Sequence, residues 1–182
     1  KSLQEYSEQL SSGNVELNSL QNQLDSVKKE KESLETRLSQ VSGADGNNKL
    51  LTAVIKAANL YISNDSTGAA EAIADVDVSS LPVEEAKTLY NTISGATMMN
   101  AANDLYNRGM TAYNKADYTT AADLLVRAYK CDKTKADAVF YAAKSYVALN
   151  QPDNAKKYYQ IIADEFKSSG YVTEAQAYVQ SH

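Results

Sequence analysis

The stretch Asn103–Tyr129, NDLYNRGMTAYNKADYTTAADLLVRAY, and the later stretch Ala138–Ile162, AVFYAAKSYVALNQPDNAKKYYQII, decide the fold when one is laid on the other. A shift of 34 residues takes Leu105 to Val139, Gly109 to Ala143, Ala112 to Tyr146, Ala121 to Ala155, Leu125 to Tyr159 and Ala128 to Ile162. Small residues fall on small ones at the positions of Gly109 and Ala121, and most of the other pairs are apolar or aromatic. Self-similarity at a fixed period of this length is the sequence signature of a helical repeat array. Each stretch reads as a helix, a turn and a helix, which predicts an all-α chain built of repeated hairpins.

The two stretches resemble the tetratricopeptide repeat (TPR) family. The resemblance rests on Leu105, Gly109, Tyr113, Tyr118, Ala121, Leu125 and Ala128, then on Val139, Ala143, Tyr146, Ala155 and Tyr159. It places the repeats at 102–135 and 136–169, with a degenerate copy at 51–84 and a capping helix at 171–181. Gly109, Ala143, Ala121 and Ala155 stand where the two antiparallel helices of a repeat cross, because a larger side chain there forces the backbones apart. Three features depart from the family pattern. No Trp opens either repeat, Lys133 and Lys167 stand where Pro often closes one, and Pro152 takes the place that Tyr118 holds one repeat earlier. Between the degenerate copy and the clear repeats, 83–99 carries a further helical face (Ala86, Leu89, Tyr90, Ile93), and Ser94-Gly95-Ala96-Thr97 reads as a turn or a kink.

The resemblance implies a groove lined by the first helix of each repeat, a surface that takes an extended peptide or a partner's helix. By helical position the lining is Lys56 and Asn59, then Asn103, Tyr106, Asn107, Met110, Tyr113 and Asn114, then Asp137, Phe140, Tyr141 and Lys144. Tyr offers a large rigid contact area with a polar tip, and Asn pairs with a peptide backbone in both directions, so this lining suits protein recognition. The competing reading is that the Tyr rings pack between helices. A carboxylate clamp of the kind found in chaperone-binding TPR domains does not fit: Asn59 and Asn107 match its amides, but Asp137 and Tyr141 stand where its basic residues belong.

Upstream, Leu3, Leu10, Leu17, Leu24, Lys31 and Leu38 recur every seven residues, and so do Tyr6, Gly13, Leu20, Val27, Leu34 and Val41. Ten of these twelve a and d positions are apolar or aromatic, a run beyond the roughly three to four heptads that specify a coiled coil. The expected organisation is therefore a coiled coil over 1–42, a linker over 43–48 (Gly43-Ala44-Asp45-Gly46-Asn47-Asn48) and a helical-repeat domain over 49–182. The stripe needs a partner helix, which predicts a homo-oligomer through Leu3, Leu10, Leu17, Leu20, Leu24, Val27, Leu34, Leu38 and Val41. Dimer and trimer both fit, and so do both orientations, since none of the g-to-e pairs of a parallel arrangement is a clean salt bridge. The order of coiled coil and repeats resembles that of the periplasmic coordinator associated with the Tol-Pal system.

Composition narrows the function. The chain of 182 residues has 18 Lys+Arg against 23 Asp+Glu, and this acidic balance argues against a nucleic-acid partner. One Cys (Cys131) and one His (His182) cannot build a disulfide or a Cys/His zinc site within the chain. There is no nucleophile with a base, paired-carboxylate site or phosphate loop, so neither enzymatic activity nor a cofactor or metal is expected. Cys131 reads as a packed small residue and His182 as a frayed end. The expected role is a non-enzymatic scaffold that captures a protein or peptide partner; the alternatives are a structural stalk or a regulatory part of a larger membrane-anchored protein. Because the first residue is Lys1 rather than Met, upstream residues holding a signal or anchor are expected, and with them an extracytoplasmic location without direct membrane contact by this segment; the alternative is the cytoplasm.

Overall fold

The computed structural model describes residues 2–40 and 45–182, with side chains for 2–36 and 49–182. Among these the chain forms eight α-helices, one 3₁₀ turn (Val78–Ser80) and no strand. The helices are α1 (Leu3–Gln40), α2 (Asp45–Ile62), α3 (Ser66–Ile73), α4 (Glu84–Asn114), α5 (Tyr118–Cys131), α6 (Ala136–Ala148), α7 (Pro152–Glu165) and α8 (Val172–Ser181). The chain divides into two compact units between Ala96 and Thr97, a point inside α4.

In the first unit α1 opens with a capping box. The Ser2 hydroxyl accepts from the Glu5 amide, and the Glu5 carboxylate accepts from the Ser2 amide at 2.9 Å, so two amides left without partners by the first turn are satisfied together. α2 packs back along the C-terminal half of α1. Val27 and Leu34 are fully buried there, with Leu51, Val54, Ala57 and Ala58 of α2. Of the expected linker, 41–44 lie outside the described residues, and Asp45–Asn48 already belong to the first turn of α2. Asp and Asn are favoured at helix starts for the same reason that they are favoured in turns: their short side chains bond to nearby backbone amides.

The α2–α3 hairpin occupies the position of the degenerate copy. Its second arm is only eight residues, against fourteen for α5 and for α7. The chain then runs through the 3₁₀ turn, where the Asp77 carboxylate accepts from the Ser79 amide and hydroxyl. The Ser94–Thr97 segment is neither a turn nor a break: α4 is helical throughout. Gly95 is exposed, with open space where a Cβ would stand. A single glycine costs a helix about 1 kcal/mol relative to Ala, which the buried Ala86, Leu89 and Ile93 on this helix offset several times over.

The second unit packs α5 on α6, α6 on α7 and α7 on α8. Its element boundaries repeat at the period read from the sequence. The ends of α4 and α6 (Asn114, Ala148), the starts of α5 and α7 (Tyr118, Pro152) and the ends of α5 and α7 (Cys131, Glu165) are each 34 residues apart. The turns repeat too. Ala116 and Asn150 both have positive φ, 59° and 55°. The Asp117 amide donates to the Ala112 carbonyl at 3.0 Å as the Gln151 amide donates to Tyr146 at 2.9 Å. This is the left-handed helix C-terminus that satisfies otherwise unpaired carbonyls. The next helix starts at once, with Asp117 capping the Thr120 amide in one case and Pro152 at the first helical position in the other. The same turn closes α2, with Asn64 at φ 63° and the Asp65 amide donating to Leu60. Asn64 and Ala116 are 52 residues apart, eighteen more than the repeat, which is about five turns of α-helix. The N-terminal part of α4 is the inserted length.

Five of the six pairs are core positions; the exception is Ala112 with the half-exposed Tyr146. Leu105, Val139, Ala121, Ala155, Leu125, Ala128, Ala143 and Ile162 are all fully buried, and Tyr159 nearly so. Gly109 is where α4 and α5 touch: a Cβ there would stand 2.8 Å from Leu125 Cγ and 3.3 Å from Leu124 Cβ.

Candidate functional site

One side of the second unit is built by α4, α6 and the start of α8. Asn103, Asn107 and Asn114 are exposed on it, Tyr106, Met110, Tyr113, Asp137, Tyr141 and Lys144 are half-exposed, and Phe140 is buried. The rings meet edge to face, Tyr113 with Tyr141 at 5.1 Å and Phe140 with Tyr141 at 5.5 Å. Each such pair contributes about 0.5–1.5 kcal/mol beyond its buried area, which holds the rings in fixed orientations. The polar tips are placed as firmly. Burial, with the neighbouring Asp137 carboxylate, pushes the pKa of the Tyr106 hydroxyl up to about 12. Lys135 Nζ donates to Asn103 Oδ1 at 2.9 Å and lies 5.5 Å from the Tyr106 ring centre.

Three residues absent from the sequence-based lining complete this side. Tyr171 stacks on Phe140 at 4.2 Å, nearly parallel. Glu174 faces Lys144 at 3.7 Å and accepts from the Tyr159 hydroxyl at 3.3 Å. Tyr178 packs on Tyr159 at 4.7 Å, and His182, expected to fray, stacks on Tyr178 at 4.1 Å. A signal for them was present. Adding the 34-residue period once more to Asp137, Phe140 and Lys144 gives Tyr171, Glu174 and Tyr178. Lys56 and Asn59 are both exposed on α2, in the first unit.

Along α1 the seam is divided. Leu3, Leu10, Leu17 and Leu20 are 90%, 69%, 63% and 51% exposed, Leu24 is half-buried, and Val27 and Leu34 are covered by their own chain. The expectation that these last two serve another copy is therefore corrected: α2 is the helix that their stripe required. The Leu38 side chain and Val41 lie outside the described residues. Lys31, the polar seam position, turns to Glu35 at 3.2 Å.

Among the described residues, clefts open in the first unit. One, of about 570 Å³, is lined by uncharged polar side chains of α1 and α4, among them Ser19, Asn22, Asn91 and Thr92. Another, of about 500 Å³, opens where the exposed seam meets the end of α2, with Leu20, Leu24, Tyr61 and Ile62 on its walls. Among the described residues no group of three His, Cys, Asp or Glu could hold a metal ion, and no helix is long and apolar enough to cross a membrane. Cys131 is buried at the end of α5.

No family model, curated protein or solved structure matches this chain.

What the two surfaces can do follows from their chemistry. The side built by α4, α6 and α8 offers aromatic edges, carboxamides with both donor and acceptor, the carboxylates of Asp137 and Glu174 and the ammonium groups of Lys135 and Lys144. Tyr106 and Tyr171 are both pushed above the ordinary phenol range, by burial first and then by the Asp137 carboxylate. The α1 seam offers the side chains of Leu3, Tyr6, Leu10, Leu17 and Leu20 to water at heptad spacing.

Proposed function

We propose that the chain is a non-enzymatic protein–protein interaction scaffold of the tetratricopeptide type. A protein or peptide partner docks on the side formed by α4, α6 and α8, and the exposed half of the α1 seam brings copies together. The observation that carries the reading is the row of half-exposed rings (Tyr106, Tyr113, Tyr141), the last two in edge-to-face contact, flanked by exposed Asn103 and Asn107. Tyrosine loses little conformational freedom on binding, and less still when its rotamer is already held. Several copies on one oligomer would add avidity without new contacts. An extracytoplasmic location belongs to the same proposal, and a single buried cysteine is compatible with it.

The test is capture of a partner by the full chain carrying a photo-crosslinker at Asn107. Changing Tyr106 and Tyr141 together to Ala is expected to weaken capture at least tenfold, about 1.4 kcal/mol, while Asp123→Ala on the exposed face of α5 leaves it unchanged. Circular dichroism melts keep loss of binding apart from loss of fold. Equal capture by all three proteins would sink the proposal.

One observation favours a second reading, that of a rigid structural end. The stacking of Tyr171 on Phe140 and the Lys144–Glu174 pair place α8 against the same side, so part of it is occupied by the chain itself. Under that reading the rings serve packing, and no partner crosslinks at Asn107.

A further inference from the structure

We infer that the exposed half of the α1 seam pairs with the same segment of a second copy in an antiparallel, two-fold symmetric arrangement. This rests on the reading that α1 joins copies, and it specifies orientation, register and copy number, all of which the heptad pattern left open. The argument begins with α2. It lies on α1 where the seam passes through Val27 and Leu34, leaving those residues fully buried. A parallel second copy would carry its own residues 24–34, and the α2 packed on them, into the space that α2 already fills. An antiparallel copy runs the other way. Its N-terminus meets the end of α2, and its C-terminal half, with its own α2, lies beyond Leu3 and away from the α2 of the first copy.

The register follows from the residues. Opposing Leu3 to Leu20 of the second copy also opposes Tyr6 to Leu17 and Leu10 to Gly13, and two-fold symmetry repeats each pair. Every layer sets an a position against a d position. The one weak seam residue, Gly13, has nothing within 4 Å of where a Cβ would stand, and it faces Leu10, whose bulk fills that space. Leu3, the most exposed apolar residue in the segment, is brought to Leu20 at the mouth of the 500 Å³ cleft walled by Leu24, Tyr61 and Ile62. The acidic groups stay off the seam. Glu5 and Glu8 lie on the outer face, and Glu16 sits opposite the uncharged Gln9 of the second copy. The capping box at Ser2 and Glu5 starts the helix right at Leu3, so the seam is helical to its first leucine. About 26 Å of helix, from Leu3 to Leu20, forms the interface.

The experiment uses the full chain with Cys131→Ser, in which Leu3→Cys and Leu20→Cys variants are oxidised separately and as a mixture, alongside sedimentation equilibrium of the unmodified chain. The expected result is a dimer that disulfide-links efficiently only in the mixture and becomes monomeric on Leu10→Glu. That change falls on an exposed residue and should leave the helical circular dichroism intact. Efficient linking of either variant with itself would overturn the antiparallel arrangement while leaving oligomerisation standing. A chain that stays monomeric across the concentration series would overturn both.

Discussion

Gly109→Leu is expected to cost the second unit about 3 kcal/mol or more, at the upper end of what overpacking a dense core produces. In a unit of this size that is a fall of roughly 12–24 °C in melting temperature. The reason is the distance at which α4 passes α5. A bare Cβ at Gly109 already stands 2.8 Å from Leu125 Cγ and 3.0 Å from its Cδ2. Leu125 is itself fully buried, with no room to withdraw. The three further carbons of a leucine side chain must push the helices apart, and that separation strips the contacts of Ala121 and Ala128 on the same face of α5. Gly109→Ala falls between the two, because up to about 1 kcal/mol of gained helix propensity offsets an overpacking cost of about 1–3 kcal/mol. Urea denaturation followed by circular dichroism measures both. A leucine tolerated within about 0.5 kcal/mol, the range of ordinary surface changes, would mean that the crossing is not where the structure has it.

Tyr159→Ala is expected to cost about 3–5 kcal/mol, the range for emptying a buried aromatic site. Tyr159 is the residue 34 positions beyond Leu125, and it does more than fill volume. Its ring lies 6.1 Å from Phe140 and 4.7 Å from Tyr178, and its hydroxyl donates to Glu174. Burial and the Glu174 carboxylate both raise its pKa, so the neutral, donating form is the one held at physiological pH. Removing the side chain takes away the contacts of α8 through Tyr178 and the Tyr159–Glu174 hydrogen bond, and loss of α8 order is expected to accompany the loss of stability. Tyr159→Phe separates the two roles. It keeps the ring contacts and gives up one hydrogen bond, for about 1 kcal/mol. The pair is read by equilibrium unfolding, with amide hydrogen exchange in Val172–Ser181 as the local measure. If Ala costs no more than Phe, the ring is not a core element.

Much of this was legible in the residues because it depends on spacing alone. The 34-residue shift that pairs Leu105 with Val139 and Gly109 with Ala143 is the spacing at which helix ends and turns recur. A period in the sequence becomes a period in the structure when each unit buries its apolar face against the next. Other features depend on facts that no local pattern carries. The stripe through Val27 and Leu34 demands a covering helix but cannot say whether that helix comes from α2 or from another copy, since both would be apolar. The segment Ser94–Thr97 looks like a turn because Ser and Gly are poor helix formers, yet the buried residues flanking it keep α4 unbroken. Ala116 adopts a positive φ that alanine disfavours by roughly 1–2 kcal/mol. The hairpin imposes it, and Asn150 shows the residue type better suited to that position. Tyr171, Glu174 and Tyr178 could have been found by one more application of the period; the two extra residues in the loop before α8 put its start 36 rather than 34 positions after that of α6 and blur the match.

The claim on which the rest depends is that the α4–α5 and α6–α7 hairpins are one structural unit used twice. Electron–electron resonance distances test it most directly, with spin labels at Asn114 and Lys130 in one protein and at Ala148 and Asp164 in another, both in a Cys131→Ser background. Each pair joins the turn end of a hairpin's first helix to the far end of its second, so the distance reports how the two helices cross. The account predicts superimposable distance distributions for the two proteins. Distributions whose maxima differ by more than the spread of the labels themselves would contradict it.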